Sequence, residues 1–148
     1  MNNCMKKIRI SKEFRFETAH ALDMHDSKCR NLHGHSYKLI VTVLGEPIED
    51  ESKSDVGMVM DFTELKKIVN ENVVDKLDHA LVLKSDSRFK GIEKENTKTI
   101  YVDYHPTCEN ILLEIVEIIS TKLPKDVSLV YAKMNETANS YSEWFLED

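Results

Sequence analysis

Two histidines separated by one glycine, His33-Gly34-His35, come four residues after a cysteine, Cys29, in the stretch CRNLHGHSY. A third histidine, His20, closes the alternating run that precedes them. On a strand, residues i and i+2 point the same way, so His33 and His35 share a face and Gly34 leaves room between them. Antiparallel pairing of the two runs would bring His20 beside them. Three imidazoles and one open position are the donor set of a catalytic Zn2+. An isolated H-x-H is more often a pair of surface histidines; the third histidine at a strand end is what favours a metal. Cys29 has three readings: a fourth ligand closing a structural zinc site, a thiolate base or nucleophile beside an open metal, or a plain loop cysteine. Lys28 and Arg30 flank it, and neighbouring cations favour thiolate.

Three further stretches carry polar groups of interest. In KLDHAL, Asp78 precedes His79 after a helical pattern. With a distant cysteine they supply the ingredients of a thiolate-activating triad, although adjacent side chains ordinarily diverge. In KMNETANSYSEW, Glu136 stands at a strand end, where a carboxylate can accept paired N–H groups from a heterocycle. HPTCEN offers Thr107 as a helix N-cap and Glu109 in the first turn, both ordinary helix-start residues. Cys4, Cys108, His25 and His105 have no spacing partner and read as bystanders.

The elements that must position these groups follow from periodicity. Residues 8–20 alternate with period two, Ile8, Ile10, Phe14, Phe16, Thr18 and His20 on one side, as expected of a half-buried strand. Residues 33–44 repeat the pattern, with His33, His35, Tyr37, Leu39, Val41 and Val43 on one face. Asp61 is a candidate N-cap, with Glu64 three residues on. In the helix that follows, Phe62, Leu65, Ile68, Val69, Val73 and Leu77 keep helical spacing. Residues 84–98 read as a charged loop and TIYVDYH as a short strand. Pro106-Thr107 starts a second helix, with Ile111, Ile115, Ile118 and Ile119 apolar, and Pro124 ends it. Two more strands, about 127–136 and 140–146, are joined by the tight turn TANS. The expected fold is one α+β domain over residues 1–148: a four-stranded antiparallel sheet with two helices on one face. Its uncovered face and bare edges call for self-association.

Composition sets the outer limits. The chain has 148 residues, 41% hydrophobic and 31% charged, with a formal net charge of -6. It lacks the roughly 20-residue apolar run of a membrane span. Its acidity argues against sequence-independent nucleic-acid binding. The start, MNNCMKKIRISKEF, has no signal-peptide apolar region, so a cytoplasmic protein is expected. The cysteines Cys4, Cys29 and Cys108 form no disulfide framework.

Taken together, FRFETAHAL, KCRNLHGHSY, GMVMDFTELK, KLDHALVL, PTCEN and NETANSYSEW resemble, in order and spacing, the 6-pyruvoyltetrahydropterin synthase family over nearly the whole chain. The cysteine four residues before HGH is more like the bacterial 6-carboxytetrahydropterin synthases of the queuosine and 7-deazapurine pathway; animal-type enzymes usually have a longer spacing. The resemblance implies that His20, His33 and His35 bind zinc and that Cys29 is the proton-abstracting base. Asp78 and His79 would complete its relay, and Glu136 would anchor the pterin and count with the catalytic relay as well, with Glu109 and Thr107 also at the substrate. It implies the tunnelling fold, in which trimers close a barrel and two trimers stack into a homohexamer with active sites between subunits. The implied reaction converts 7,8-dihydroneopterin triphosphate to 6-carboxytetrahydropterin, acetaldehyde and triphosphate; the pyruvoyl product of triphosphate elimination and a non-enzymatic, zinc-stabilised pterin-binding domain are the alternatives. Lys28, Arg30 and Lys38 are candidate triphosphate contacts. The segment from Lys84 to His105 is longer than in compact bacterial members and falls at the rim of the expected site.

Overall fold

A computed structural model describes residues 6–95 and 97–147; Cys4 lies outside them. The alternation that opens the chain is strand β1 (Ile8–His20), and it pairs antiparallel over its full length with β2 (His33–Gly45). The register runs from Ile8 opposite Gly45 to His20 opposite His33. One side of the pair is buried: Phe14, Phe16, Tyr37, Leu39, Val41 and Val43 are 6% exposed or less. Period-two patterning therefore does what it predicts, sending one side chain of every two into the core.

Two helical runs cover that side. The first is α1 (Phe62–Val69), a π-helical turn (Asn70–Val74) and α2 (Asp75–Leu77) in unbroken succession. Asp61 caps it, its Oδ1 accepting from the Thr63 N–H at 2.7 Å. The second is α3 (Cys108–Ser120), capped by Thr107, whose hydroxyl accepts from the Asn110 N–H at 3.1 Å. Leu65, Val69, Ile111, Ile115 and Ile119 are 2% exposed or less, each fully buried side chain contributing roughly 1.5–3 kcal/mol. Among the described residues, no helix is long and apolar enough to cross a membrane.

The sheet departs from the expected one in size and direction. It has six strands, ordered β4-β3-β1-β2-β5-β6, where β3 is Ala80–Lys84, β4 is Thr99–Val102, β5 is Ser128–Thr137 and β6 is Ser140–Phe145. β5 and β6 are antiparallel to their neighbours as expected, but β3 lies parallel to the end of β1 and β4 parallel to β3. Ala80, Leu81, Val82 and Leu83 are all buried, and a strand buried on both faces has no alternation to betray it. Nor are residues 84–98 a bare loop. Leu81 and Leu83 face away from the helices and form a second, small core with Ala21, against which Phe89 and Ile92 pack.

Candidate metal centre and active site

Because His20 sits opposite His33, and Thr18 opposite His35, the β1–β2 register alone gathers three imidazoles. Their ring centroids are 4.5, 5.0 and 5.1 Å apart. Their ligand nitrogens all lie within 4.8 Å of one another, and Cys29 is not part of that group. Gly34 does not make the room expected of it: a Cβ there would meet the Thr18 carbonyl at 3.6 Å and the Ala19 Cα and Cβ at 3.9 Å, all ordinary contacts. Its side of the strand is the face opposite the histidines.

Hydrogen bonds fix the tautomers. The Nδ1–H of His20 donates to the Pro106 carbonyl at 2.7 Å, and that of His33 to the Asn31 carbonyl at 2.8 Å. Each ring then presents a bare lone pair at Nε2, and these two atoms lie 3.0 Å apart. The Nε2 of His35 is shielded from solvent and has no hydrogen-bond partner among the described residues. Lone pairs aimed at one another in a shielded site repel unless a cation sits between them, and backbone acceptors on the far nitrogen are how metal-binding histidines are oriented. The donor set therefore fits a divalent metal with nitrogen affinity, Zn2+ among them. Burial, opposed by the Pro106 carbonyl and reinforced by His33 and His35, pushes the His20 pKa down to about 4. Burial likewise lowers that of His35, against the pull of Glu136. Neutral imidazoles are what a metal needs.

Glu136 reaches this cluster through a local irregularity. The β5–β6 register shifts between Asn135 and Thr137, so Glu136 sits at a bulge, a device that re-aims a side chain. Its Oε1 lies 3.4 Å from His35 Nε2. Glu109, in the first turn of α3, accepts from the Ser142 hydroxyl at 3.4 Å, and Thr107 is spent on capping. Cys108 is 4% exposed and its thiol donates to the Met134 carbonyl; burial pushes its pKa up, as suits a packed thiol.

Tyr37 is a residue whose part sequence reasoning missed. It is 1% exposed, its ring is 5.5 Å from that of His35, and its hydroxyl has no partner among the described residues. Burial, then the charges of Glu136, Cys108 and Glu109, push its pKa up. The signal was present: Tyr37 continues the i, i+2 ladder of His33 and His35.

Other expected residues are not in this cluster. Cys29 is half-buried in a short 3-10 turn, Lys28–Arg30, between β1 and β2. Asp78 and His79 do orient each other despite being adjacent, with Oδ1 and Nδ1 3.0 Å apart. The reason is backbone geometry: His79 has φ 58, a left-handed conformation that turns its side chain back. The pair is fixed to β1, the Glu17 N–H donating to Asp78 Oδ1 at 2.9 Å and the His79 N–H to the Glu17 carbonyl at 2.6 Å. The Glu17 N–H, followed by His79, holds the Asp78 carboxyl below its usual range. Lys98 clamps the same turn by donating to the carbonyls of Asp75 and Asp78 at 2.7 and 2.9 Å. His79 lines a cavity of about 340 Å³ with Glu17, Gly34, His35 and Ser36, its mouth on the side of β2 that the Ser36 side chain takes. Lys38 also lies there, paired with Glu13 at 3.1 Å, on the strand face opposite the three histidines.

Fold and side chains thus describe an α+β protein with a three-histidine group able to hold a metal ion, bordered by a carboxylate. The model of the family 6-pyruvoyl tetrahydropterin synthase matches residues 9–146, and the chain belongs to that family of enzymes. It is 38% identical over 144 residues to the 6-carboxy-5,6,7,8-tetrahydropterin synthase of Haemophilus influenzae, covering 93% of this chain and 98% of the relative. It is 40% identical over 98 residues to the 6-pyruvoyl tetrahydrobiopterin synthase of Dictyostelium discoideum, covering 64% and 68%. The structure of the Caenorhabditis elegans 6-pyruvoyl tetrahydropterin synthase shares the fold, with a TM-score of 0.67 at 24% identity over 95% of this chain and 96% of that one.

Proposed function

We propose that this protein is a zinc-dependent lyase that converts 7,8-dihydroneopterin triphosphate to 6-carboxy-5,6,7,8-tetrahydropterin, releasing acetaldehyde and triphosphate, as a cytoplasmic step towards queuosine. One observation carries the reading: the facing Nε2 atoms of His20 and His33, 3.0 Å apart, with Glu136 3.4 Å from the third histidine. A metal site and a carboxylate suited to a heterocycle's N–H groups are side by side.

In this reading His20, His33 and His35 hold Zn2+, which when bound supplies Lewis acidity and an open coordination position. Glu136 accepts from the amino and ring N–H groups of the pterin, with Glu109 and Thr107 beside it. The Cys29 thiolate takes a proton from a carbon of the substrate side chain. Asp78 holds His79 through Nδ1, which leaves Nε2 free to exchange that proton with Cys29 of a neighbouring subunit. The ring is reduced at the expense of its own side chain, so no nicotinamide is required. The exposure of Tyr141 and Phe145 at the β6 edge, 53% and 60%, supports assembly into a homohexamer of two trimers.

The carboxy product is favoured by the relative from Haemophilus influenzae, which this chain matches over almost its whole length. Incubation of the zinc-loaded protein with dihydroneopterin triphosphate, followed by mass spectrometry, tests it directly. 6-Carboxytetrahydropterin with acetaldehyde is the expected result. A pyruvoyl product would transfer the assignment to the other branch, and unchanged substrate would leave a pterin-binding domain without this activity.

A further inference from the structure

The segment 85–95 reaches back toward the cysteine. Phe89 and Ile92 seat it on the small core of Ala21, Leu81 and Leu83. The Gly91 N–H donates to the Tyr101 hydroxyl at 2.9 Å, and that hydroxyl donates in turn to the Glu93 carboxylate. From this platform Arg88, its guanidinium 4.6 Å from the centre of the Phe89 ring, extends to the loop between β1 and β2. One terminal nitrogen donates to the Arg30 carbonyl at 2.8 Å. The Nε lies 3.5 Å from Asp23 Oδ1, an ionic contact longer than a hydrogen bond. Both Asp23 carboxylate oxygens are shielded from solvent and accept no hydrogen bond among the described residues.

Arg30 directly follows Cys29. The Cys29 carbonyl is already held from inside the loop, accepting from the Leu22 N–H at 2.9 Å. Inside the loop the Arg30 N–H donates to the Ser27 carbonyl and the Asn31 N–H to the Lys28 carbonyl, both at 3.1 Å. None of Lys28, Cys29 and Arg30 is buried and Ser27 makes no side-chain capping bond, so Arg88 is the contact that ties this turn to a distant part of the chain. A planar guanidinium can hold a carbonyl and face a carboxylate at once, which a flexible ammonium does less well. Removing it would free the Arg30 carbonyl and leave the shielded Asp23 carboxylate without its cation, loosening the loop on both sides of Cys29.

We propose that Arg88 is a positioning residue for the Cys29 thiol, so that the charged segment 85–95 acts as a brace for the proton-abstracting loop. The proposal rests on the reading of Cys29 as the base. Misplacing a reacting group by about 1 Å can cost on the order of a hundredfold in rate.

The test uses the full-length, zinc-loaded protein and the variants Arg88→Ala and Arg88→Lys. Alkylation of Cys29 by iodoacetamide is followed on the Cys29 peptide, beside turnover, bound zinc and melting temperature. Arg88→Ala is expected to change the alkylation rate by about threefold or more and to lower kcat about tenfold to a hundredfold, with KM within about twofold and zinc retained. Arg88→Lys, which keeps a cation for Asp23, should recover part of both effects and keeps the test alive if the alanine variant folds poorly. An unchanged alkylation rate in both variants overturns the proposal, whatever happens to kcat. So does a kcat that falls only in proportion to lost zinc or folded protein, or one that does not fall at all. Failure of the underlying reading is distinguishable: Cys29→Ala would then keep its turnover, while the alkylation rates would still report whether Arg88 fixes the thiol.

Discussion

His20 and His33 face each other across the β1–β2 pair with their Nε2 atoms 3.0 Å apart, each donating its Nδ1–H to a backbone carbonyl. The fold thus fixes two lone pairs on one point before any metal arrives. His33→Ala should lose most of its zinc and its activity together while the secondary structure persists, because the core beneath is apolar and includes none of the three histidines. Stoichiometric zinc in that variant, by atomic absorption, would remove His33 from the ligand set.

Protons compete for the same nitrogens. The folded-state pKa of His20, about 4, lies below its unfolded value near 6.5. The unfolded chain therefore takes up a proton first as pH falls, and the stability due to neutral His20 is present above about 6.5 and lost as pH drops towards about 4. The metal-free protein should lose up to about 3 kcal/mol across that window. Chemical denaturation at several pH values checks it, and His20→Asn should flatten the slope. A wild-type profile already flat would contradict the burial-driven shift.

Cys29 stands apart from the three-histidine group. The cobalt-substituted protein should therefore lack an intense thiolate charge-transfer band. Cys29→Ala should keep its metal while turnover falls by about two or more orders of magnitude, the scale of losing a positioned base. Loss of metal in that variant would return Cys29 to the ligand set.

His79 opens onto the outer face of the sheet, beside Glu17 and Ser36, whereas the histidine cluster faces the helices. If the relay crosses a subunit boundary, mixing inactive Cys29→Ala with inactive His79→Ala protein and reassembling them should restore part of the activity. Light scattering on the wild type should give a hexamer. A monomer at micromolar concentration, or mixtures that stay inactive after exchange, would count against shared sites.

Lys98 donates to the carbonyls of Asp75 and Asp78 and so holds the turn that carries His79. Lys98→Met should lower kcat by up to about a hundredfold and leave zinc content unchanged, since no histidine ligand touches this turn. Equal kcat in variant and wild type would mean the left-handed His79 backbone holds itself.

Much of this was legible in the residue order. Alternation through 8–20 and 33–45 determined two long half-buried strands, and parity put His33, His35 and Tyr37 on one face. Asp61 and Thr107 announced the helix starts they cap. Those features are local: a strand's parity and a cap's hydrogen bond are complete within a few residues. Tertiary structure decided the rest. Ala80–Lys84 is buried on both faces, so its pairing with β1 left no periodic mark. The bulge that aims Glu136 at His35 depends on the partner strand's register. The left-handed backbone that joins Asp78 to His79 is anchored on Glu17, far away in sequence. Arg88 meets Arg30 and Asp23 only because a parallel crossover returns the chain to the end of β1. Contacts between residues distant in sequence are set by three-dimensional packing, and the order of residues in one segment does not specify which distant segment will meet it.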